Sequence, residues 1–424
     1  MLEEILDRRN IEKALVQVER NKGAAGIDDM ASEDLRGYIA SNWQSLRKEI
    51  LESSYSPRPV KRVEIPKTNG GRRKLGIPTV IDRMLQQAIA QWLQPKYEDM
   101  FSERSYGFRP GRSAHQAVVQ AERYLQEQRT WVIEVDLENF FDKVNHDRLM
   151  SQLSKQVSDK RTLKLIRSYL TSGIMEGGVI SPRSEGTPQG SPLSPLLSNI
   201  VLDELDKELE KRGHRFVRYA DDISVYVGSR AAADRVKESI VGFMEKKLRL
   251  SINREKTKVV RPEESVLLGF SFRMYKDRWI LRVARKSAEA IKRKVKAITK
   301  RNAALSEDER ISRLNTVIRG WVNYFSIAQA KTLMQNLDGG VRTRLRMCKW
   351  KQWKNIRTRR INLLKLGATR RDAYQWGGSS KGYCRVAQTY ILSRTLTIAY
   401  FRKQGYIGFY DLYHQRNEKQ TRLF

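Results

Sequence analysis

Cysteine and histidine are scarce in this chain. Only Cys348 and Cys384 occur in 424 residues, and the four histidines, His115, His146, His214 and His414, are scattered. Two distant cysteines build neither a disulfide framework nor a four-ligand zinc site, and the histidines leave a His-Cys nuclease module without ligands. Long apolar runs are missing too: nothing approaches the 18 or so residues of a membrane span, and the opening MLEEILDRRN is charged where a secretory leader would be apolar. A cytoplasmic protein with no membrane partner is therefore expected. Internal repeats and low-complexity tracts are also lacking.

Acidic residues run short in one place. Residues 281–424 carry 33 Lys and Arg against 8 Asp and Glu, a net +25, while residues 1–280 carry 48 against 40, a net +8. Within a total of +33, a net +25 over 144 residues exceeds what solubility needs. It points to a polyanion, a nucleic acid or an anionic membrane, and phosphate binding is the favoured reading. With 40% apolar residues the chain is globular, and its length suits two or three domains.

Periodicity supplies the organisation. Residues 1 to about 55 read as helices around NKGAAGIDDM. The stretch YSPRPVKRVEIPKTNGGRRKLGIP alternates on either side of a glycine turn, which predicts a β-hairpin. Its cations, Lys61, Arg62, Lys67, Arg72, Arg73 and Lys74, suit phosphates; the plainer reading is an edge strand protected by charge. Residues 80–127 read as helical apart from SYGFRPGRS, and WVIEVD at 131–136 as a strand with Val132, Glu134 and Asp136 on one face. Further helices fill much of 138–171, GTPQGSPLSP opens another, and LLGFSF at 267–272 is a strand. This mixture predicts the α+β class. Beyond Val283, Ala288, Ile291, Val295 and Ile298 form one apolar stripe and Ile311, Leu314, Ile318 and Trp321 another, so basic helices follow. Trp321, Tyr324, Trp350 and Trp353 interleave with the cations; core packing is favoured over stacking on RNA. The expected division is 1–80, 81–280, 281–370 and 371–424.

In RYADDISVYV, Arg218 to Val227, two adjacent carboxylates interrupt a strand pattern. Like charges held together and partly buried take up protons unless a cation is near. Taken singly, Asp221 and Asp222 could be turn residues and Asp136 a helix cap. Brought together, the three offer the hard oxygen ligands of Mg²⁺, and two such ions are a known device for phosphoryl transfer.

The ordered series NKGAAGIDDM, SYGFRPGRSAHQAV, VDLENFFDKVNHDRLM, GTPQGSPLSPLLSNIVLDELD, RYADD, LRLSINREKTKVV and LLGFSF, then GWVNYF and RLRMCKWKQWK, resembles a group II intron-encoded reverse transcriptase/maturase over residues 10–360. Absence of an endonuclease and the short tail look like the compact group IIC type, although Ser191 replaces a common second glycine after PQG. The resemblance implies a right-hand polymerase: fingers and palm with an antiparallel sheet (N-terminal extension 1–80, core 81–280), an all-α thumb or maturase domain (281–370) and a small basic DNA-binding module (371–424). It implies RNA-directed DNA synthesis from dNTPs on an RNA template/DNA primer hybrid, together with binding of group II intron RNA and a DNA target to assist splicing and retrohoming. Two Mg²⁺ would be held by Asp136, Asp221, Asp222 and the Leu137 carbonyl, one of the paired aspartates bridging both ions. Phe141 matches an aromatic gate under the sugar, Gln189 a residue of the nucleotide pocket, Lys67 and Arg73 the triphosphate cations, and Lys256, with Lys258 close by, a lysine near the leaving pyrophosphate. Gly186 and Gly190 would let backbone approach the substrate. Lys292, Arg293, Lys296, Arg344 and Lys351 are candidates for nucleic-acid contact in the basic helices. Two alternatives stand beside this: a reverse transcriptase of a non-intron lineage serving defence or repair, and a catalytically silent maturase, against which the intact aspartates argue. The sequence fixes no oligomeric state.

Overall fold

The computed structural model describes residues 1–66, 72–176, 178–188 and 190–421. They form two compact units, Met1–Pro262 and Glu263–Phe424. Among the described residues no helix is long and apolar enough to cross a membrane.

The first unit opens with helices α1 (Leu2–Ile5), α2 (Arg8–Asn21) and α3 (Leu35–Leu51), then strands β1 (Val60–Pro66) and β2 (Arg72–Ile77). Next come α4 (Val80–Glu98), α5 (Ala114–Gln126), β3 (Trp131–Val135), α6 (His146–Leu153), α7 (Lys160–Thr171), β4 (Ile174–Glu176) and β5 (Val179–Ser181). It ends with α8 (Ser194–Lys211), β6 (Arg215–Tyr219), β7 (Asp222–Val227), α9 (Arg230–Phe243) and β8 (Lys258–Val260). Helix starts follow local chemistry: Thr79, Ser113, Asn145 and Asp159 each accept a backbone N–H of the first turn, and Gln116 completes a capping box with Ser113.

Two sheets organise this unit. The expected hairpin β1–β2 pairs antiparallel from Lys61 opposite Ile77 to Pro66 opposite Arg72, and β4 and β5 extend it in the order β2-β1-β4-β5. The second sheet has the order β6-β7-β3-β8 with antiparallel neighbours throughout. Helices α5, α8 and α9 pack on it, and every residue from Ile223 to Val227 is buried. A central strand covered on both sides needs such a continuous run. One hydrophobic core joins Leu2 on α1 to Ile252 ahead of β8.

The second unit begins with β9 (Val266–Leu267), β10 (Phe270–Tyr275) and β11 (Arg278–Val283), ordered β11-β10-β9. Three long helices follow, α10 (Arg285–Ile298), α11 (Glu307–Phe325) and α12 (Lys331–Gln352). Short ones complete it: α13 (Ile356–Lys365), α14 (Arg370–Gly377), α15 (Tyr383–Ala387), α16 (Tyr390–Thr395), α17 (Ile398–Lys403) and α18 (Phe409–Thr421). The expected stripes face inward, with Ile291, Val295, Ile311, Leu314 and Ile318 all buried. Trp350 and Trp353 are buried edge to face, 5.8 Å between centroids, and the Tyr324 hydroxyl donates to the Leu268 carbonyl at 2.8 Å. These aromatics therefore serve packing. Buried Asp338 on α12 accepts from the Tyr406 hydroxyl (2.6 Å) and from the Phe409 and Tyr410 amides (both 2.8 Å), which fixes the start of α18.

The α+β class expected from the sequence is the class observed: helices around sheets whose neighbouring strands are antiparallel except for the parallel pair β1–β4, followed by a mainly helical basic region.

Candidate active site

The register of the second sheet assembles an acidic corner. Strands β3 and β7 pair from Trp131 opposite Val227 to Val135 opposite Ile223, and Asp136 and Asp222 are the residues that follow this last pair on either strand. Directly opposed residues in an antiparallel pair share a face, and the two-residue period adds Glu134 to it. Asp221 sits in the two-residue turn between β6 and β7, because Tyr219 pairs with Asp222. No helix starts at Leu137, which bridges to Ile252 instead, so Asp136 is not a helix cap. Its backbone is fixed from the β8 side: the Asn253 amide donates to the Asp136 carbonyl at 2.9 Å, and the Asp136 amide donates to Thr257 Oγ1 at 3.2 Å.

The electrostatics follow from this crowding. Asp222 is open to solvent, yet the surrounding protein displaces much of the water that would stabilise its charge. That desolvation, and then repulsion from Asp221, Asp136 and Glu134, pushes its carboxyl from 3.8 up to about 6. The two lysines of β8 and its approach divide: Lys256 Nζ lies 3.7 Å from Asp136 Oδ1, while Lys258 Nζ lies 3.3 Å from Glu134 Oε2. Among the described residues no three or more carboxylate, histidine or cysteine side chains are gathered closely enough to hold a metal ion as they stand. The corner is an open set of hard oxygen donors whose mutual repulsion a divalent cation would relieve, so the residues fit Mg²⁺ in chemistry.

Beside the corner lies a cavity of about 670 Å³ whose lining includes Asp136, Leu137, Phe141, Asp221 and Lys256. Arg62, Arg72, Lys74 and Arg183 add positive charge. Half-buried Phe141 packs edge to face on buried Phe140 at 5.3 Å, and its carbonyl accepts the Thr187 amide at 2.5 Å. The loop before α8 is thereby tied to a residue that lines the cavity. Gly186 explains how closely: at φ +86°, a Cβ there would stand 2.7 Å from the Asp142 carbonyl. A Cβ on Gly190 would likewise meet the Gly76 carbonyl at 2.9 Å, so the close approach at both glycines is to the protein's own backbone. Ser191, which departs from the family pattern, is buried and donates to Gln86 of α4.

Of the other expected site residues, Lys67 and Gln189 lie outside the described residues, as does the side chain of Arg73, whose backbone pairs with Ile65. Lys292, Arg293 and Lys296 are exposed on α10. Arg344 and Lys351 are half-buried: Arg344 donates to Thr299 Oγ1 and the Lys296 carbonyl, and Lys351 to Asn302. Sequence reasoning missed Arg183, whose Nη1 is buried without a hydrogen-bond partner and whose guanidinium burial pulls below its ordinary value. It also missed fully buried Arg218, although its place in phase with Phe216 on a strand was a usable signal.

Residues 65–272 match the reverse transcriptase (RNA-dependent DNA polymerase) family, and residues 288–367 the group II intron, maturase-specific domain. Protein YkfC of Escherichia coli is 35% identical over 56% of this chain and 73% of its own length. The group II intron-encoded protein LtrA of Lactococcus lactis is 29% identical over 62% of this chain and 54% of its own. A partial Cas6-RT-Cas1–Cas2 complex is similar over 58% of this chain and 42% of that one, with 27% identity and a TM-score of 0.38. Reverse transcriptases generally use divalent metal ions. The chain belongs to the reverse transcriptase family, in the group II intron-encoded branch that carries a maturase-specific domain.

Proposed function

We propose that this chain extends a DNA primer on an RNA template with dNTPs, and that Asp136, Asp221 and Asp222 hold two Mg²⁺ for the transfer. The observation that carries this is the β3–β7 register, which ends at Val135 opposite Ile223 and so leaves Asp136 and Asp222 close enough to repel, beside a turn bearing Asp221 at the wall of a cavity rich in cations. When bound, the two ions would activate the primer hydroxyl and neutralise the leaving pyrophosphate. Asp136 and Asp221 line the cavity with Leu137, whose carbonyl adds an oxygen. Asp136, Asp221 and Asp222 would together hold the ions, with Asp136 and Asp221 at the cavity wall.

Lys256 stands at the cavity, close to Asp136, and donates a proton to the leaving pyrophosphate or neutralises its charge. Lys258, engaged with Glu134, is assigned no such role. Arg62, Arg72 and Lys74, with Lys67 and Arg73 of the same hairpin, hold the triphosphate. The Phe141 ring supports the sugar and excludes a 2′-hydroxyl, and Gln189 is assigned to nucleotide binding by its place in the PQG motif alone.

The basic helical region, proposed as thumb (281–370) and DNA-binding module (371–424), holds the A-form hybrid and the group II intron RNA by their backbones. Exposed Lys292, Arg293 and Lys296 supply that contact. Arg344 and Lys351 act through the helix ends they fasten. In this reading the protein assists intron splicing and retrohoming into a DNA target. Purified protein with Mg²⁺, an RNA template, a DNA primer and dNTPs extends the primer; a folded chain that adds no nucleotide refutes the proposal.

A further inference from the structure

The turn that carries Asp221 is strained. Ala220 has φ +58°, a left-handed conformation that residues with a Cβ adopt rarely. Such a turn persists only if its surroundings fix it from several sides.

Arg218 does so from beneath. Its side chain and that of Asp206 on α8 are both 0% exposed. Arg218 Nε donates to Asp206 Oδ1 at 2.8 Å and Nη2 to Oδ2 at 2.5 Å, a forked pair that fixes the guanidinium plane. The remaining nitrogen, Nη1, donates to the Ala220 carbonyl at 3.1 Å and to Asn199 Oδ1 at 2.8 Å. Asn199, also buried on α8, donates from its own Nδ2 to the Gly107 carbonyl at 2.9 Å.

Gly107 closes the clamp from the other side. It lies against the turn so tightly that a Cβ there would stand 2.3 Å from the Ala220 amide nitrogen. The Tyr106 amide donates to the Arg218 carbonyl, and the Arg218 amide to the Arg104 carbonyl, both at 2.9 Å. One buried cation thus joins the turn, the SYGFRP loop and α8. A buried ion pair is weak evidence for stability alone, because desolvation offsets its attraction. Here the guanidinium that Asp206 and Asn199 hold in place gives one hydrogen bond to the backbone carbonyl just before a metal-ligand aspartate.

We propose that Arg218, with Asp206 and Asn199, is a positioning residue: it sets where Asp221 stands against Asp136 and thereby the affinity of the site for its divalent cations. The proposal rests on the polymerase reading given above. It assigns no contact between Arg218 and substrate.

The test uses the full chain and two variants that disturb the turn from opposite sides. Asn199→Ala removes the acceptor of Arg218 and the donor to Gly107, and Gly107→Ala pushes a methyl group towards Ala220. Primer extension is measured against Mg²⁺ and dNTP concentration, Mn²⁺ binding by electron paramagnetic resonance, and folding by circular dichroism. Both variants are expected to raise the Mg²⁺ midpoint and weaken Mn²⁺ binding, and the maximal rate to fall by up to about 10²-fold, the scale of an ångström-sized misplacement. KM for dNTP and affinity for the hybrid stay unchanged. Lower melting temperature with an unchanged Mg²⁺ midpoint and rate per folded molecule makes the network merely structural and overturns the proposal. So does unfolding of both variants. A wild-type chain that binds Mn²⁺ but extends no primer overturns the polymerase reading instead, and the Mn²⁺ titration of the variants still decides the positioning claim.

Discussion

Replacing Asp222 by Asn is expected to abolish extension and, in metal-free protein near pH 8, to stabilise the fold. The carboxyl is held at about 6 in the folded chain against 3.8 in the unfolded one, first by desolvation and then by Asp221, Asp136 and Glu134. Because the folded chain keeps this proton to higher pH, its contribution to stability is fully present below about pH 4 and is lost as pH rises through about 6. Roughly two units at about 1.4 kcal/mol each set a ceiling near 3 kcal/mol. Asp222 is open to solvent, and screening reduces the figure to about 1 kcal/mol. For a unit of this size that is a rise of about 2–4 °C in melting temperature. Calorimetry in chelator at pH 8 and at pH 4 measures it, and saturating Mg²⁺ should reverse the ranking by stabilising the wild type alone. An Asn variant no more stable at pH 8, or stabilised equally at pH 4, would refute the repulsion argument.

Three further outcomes follow from the structure. Phe141→Ala should raise the use of ribonucleotides relative to deoxyribonucleotides by on the order of tenfold or more, read by competing both in single-nucleotide extension; unchanged discrimination returns the ring to a packing role against Phe140. Replacing Lys292, Arg293 and Lys296 together by Ala should lower the slope of log affinity for an RNA/DNA hybrid against log salt by about 1 for each phosphate no longer neutralised, while the Mg²⁺ midpoint holds. An unchanged slope removes α10 from the interface. Asp338→Ala strips three hydrogen bonds from the start of α18 and should cost about 3 kcal/mol, with faster hydrogen exchange at Phe409 and Tyr410; protection equal to wild type contradicts its capping role.

Sequence patterns carried the coarse architecture because they reflect local physics. The β1–β2 hairpin announced itself by alternation around Gly70 and Gly71, and the α10 stripe of Ile291 and Val295 by helical spacing. Asp136, Asp221 and Asp222 stood out as carboxylates against apolar strand positions, and the register brought them together. What stayed hidden depends on partners distant in sequence. Nothing near Lys256 or Lys258 tells which one faces Asp136, since β8 pairs with a β3 that lies far back along the chain. Arg344 reads as one more surface cation until its carbonyl partners on α10 are seen. The reason for Gly186 was also misassigned, because the backbone it accommodates is the protein's own.

Primer extension on an RNA template by wild type, Asp136→Asn, Asp221→Asn and Asp222→Asn, each checked for folding and hybrid binding, tests the central claim most directly. Mg²⁺-dependent DNA synthesis by the wild type, lost in all three variants with binding retained, is the result expected. Synthesis that survives in any of the variants, or a folded wild type that binds the hybrid and adds no nucleotide, would contradict an active site built on the β3–β7 acidic corner.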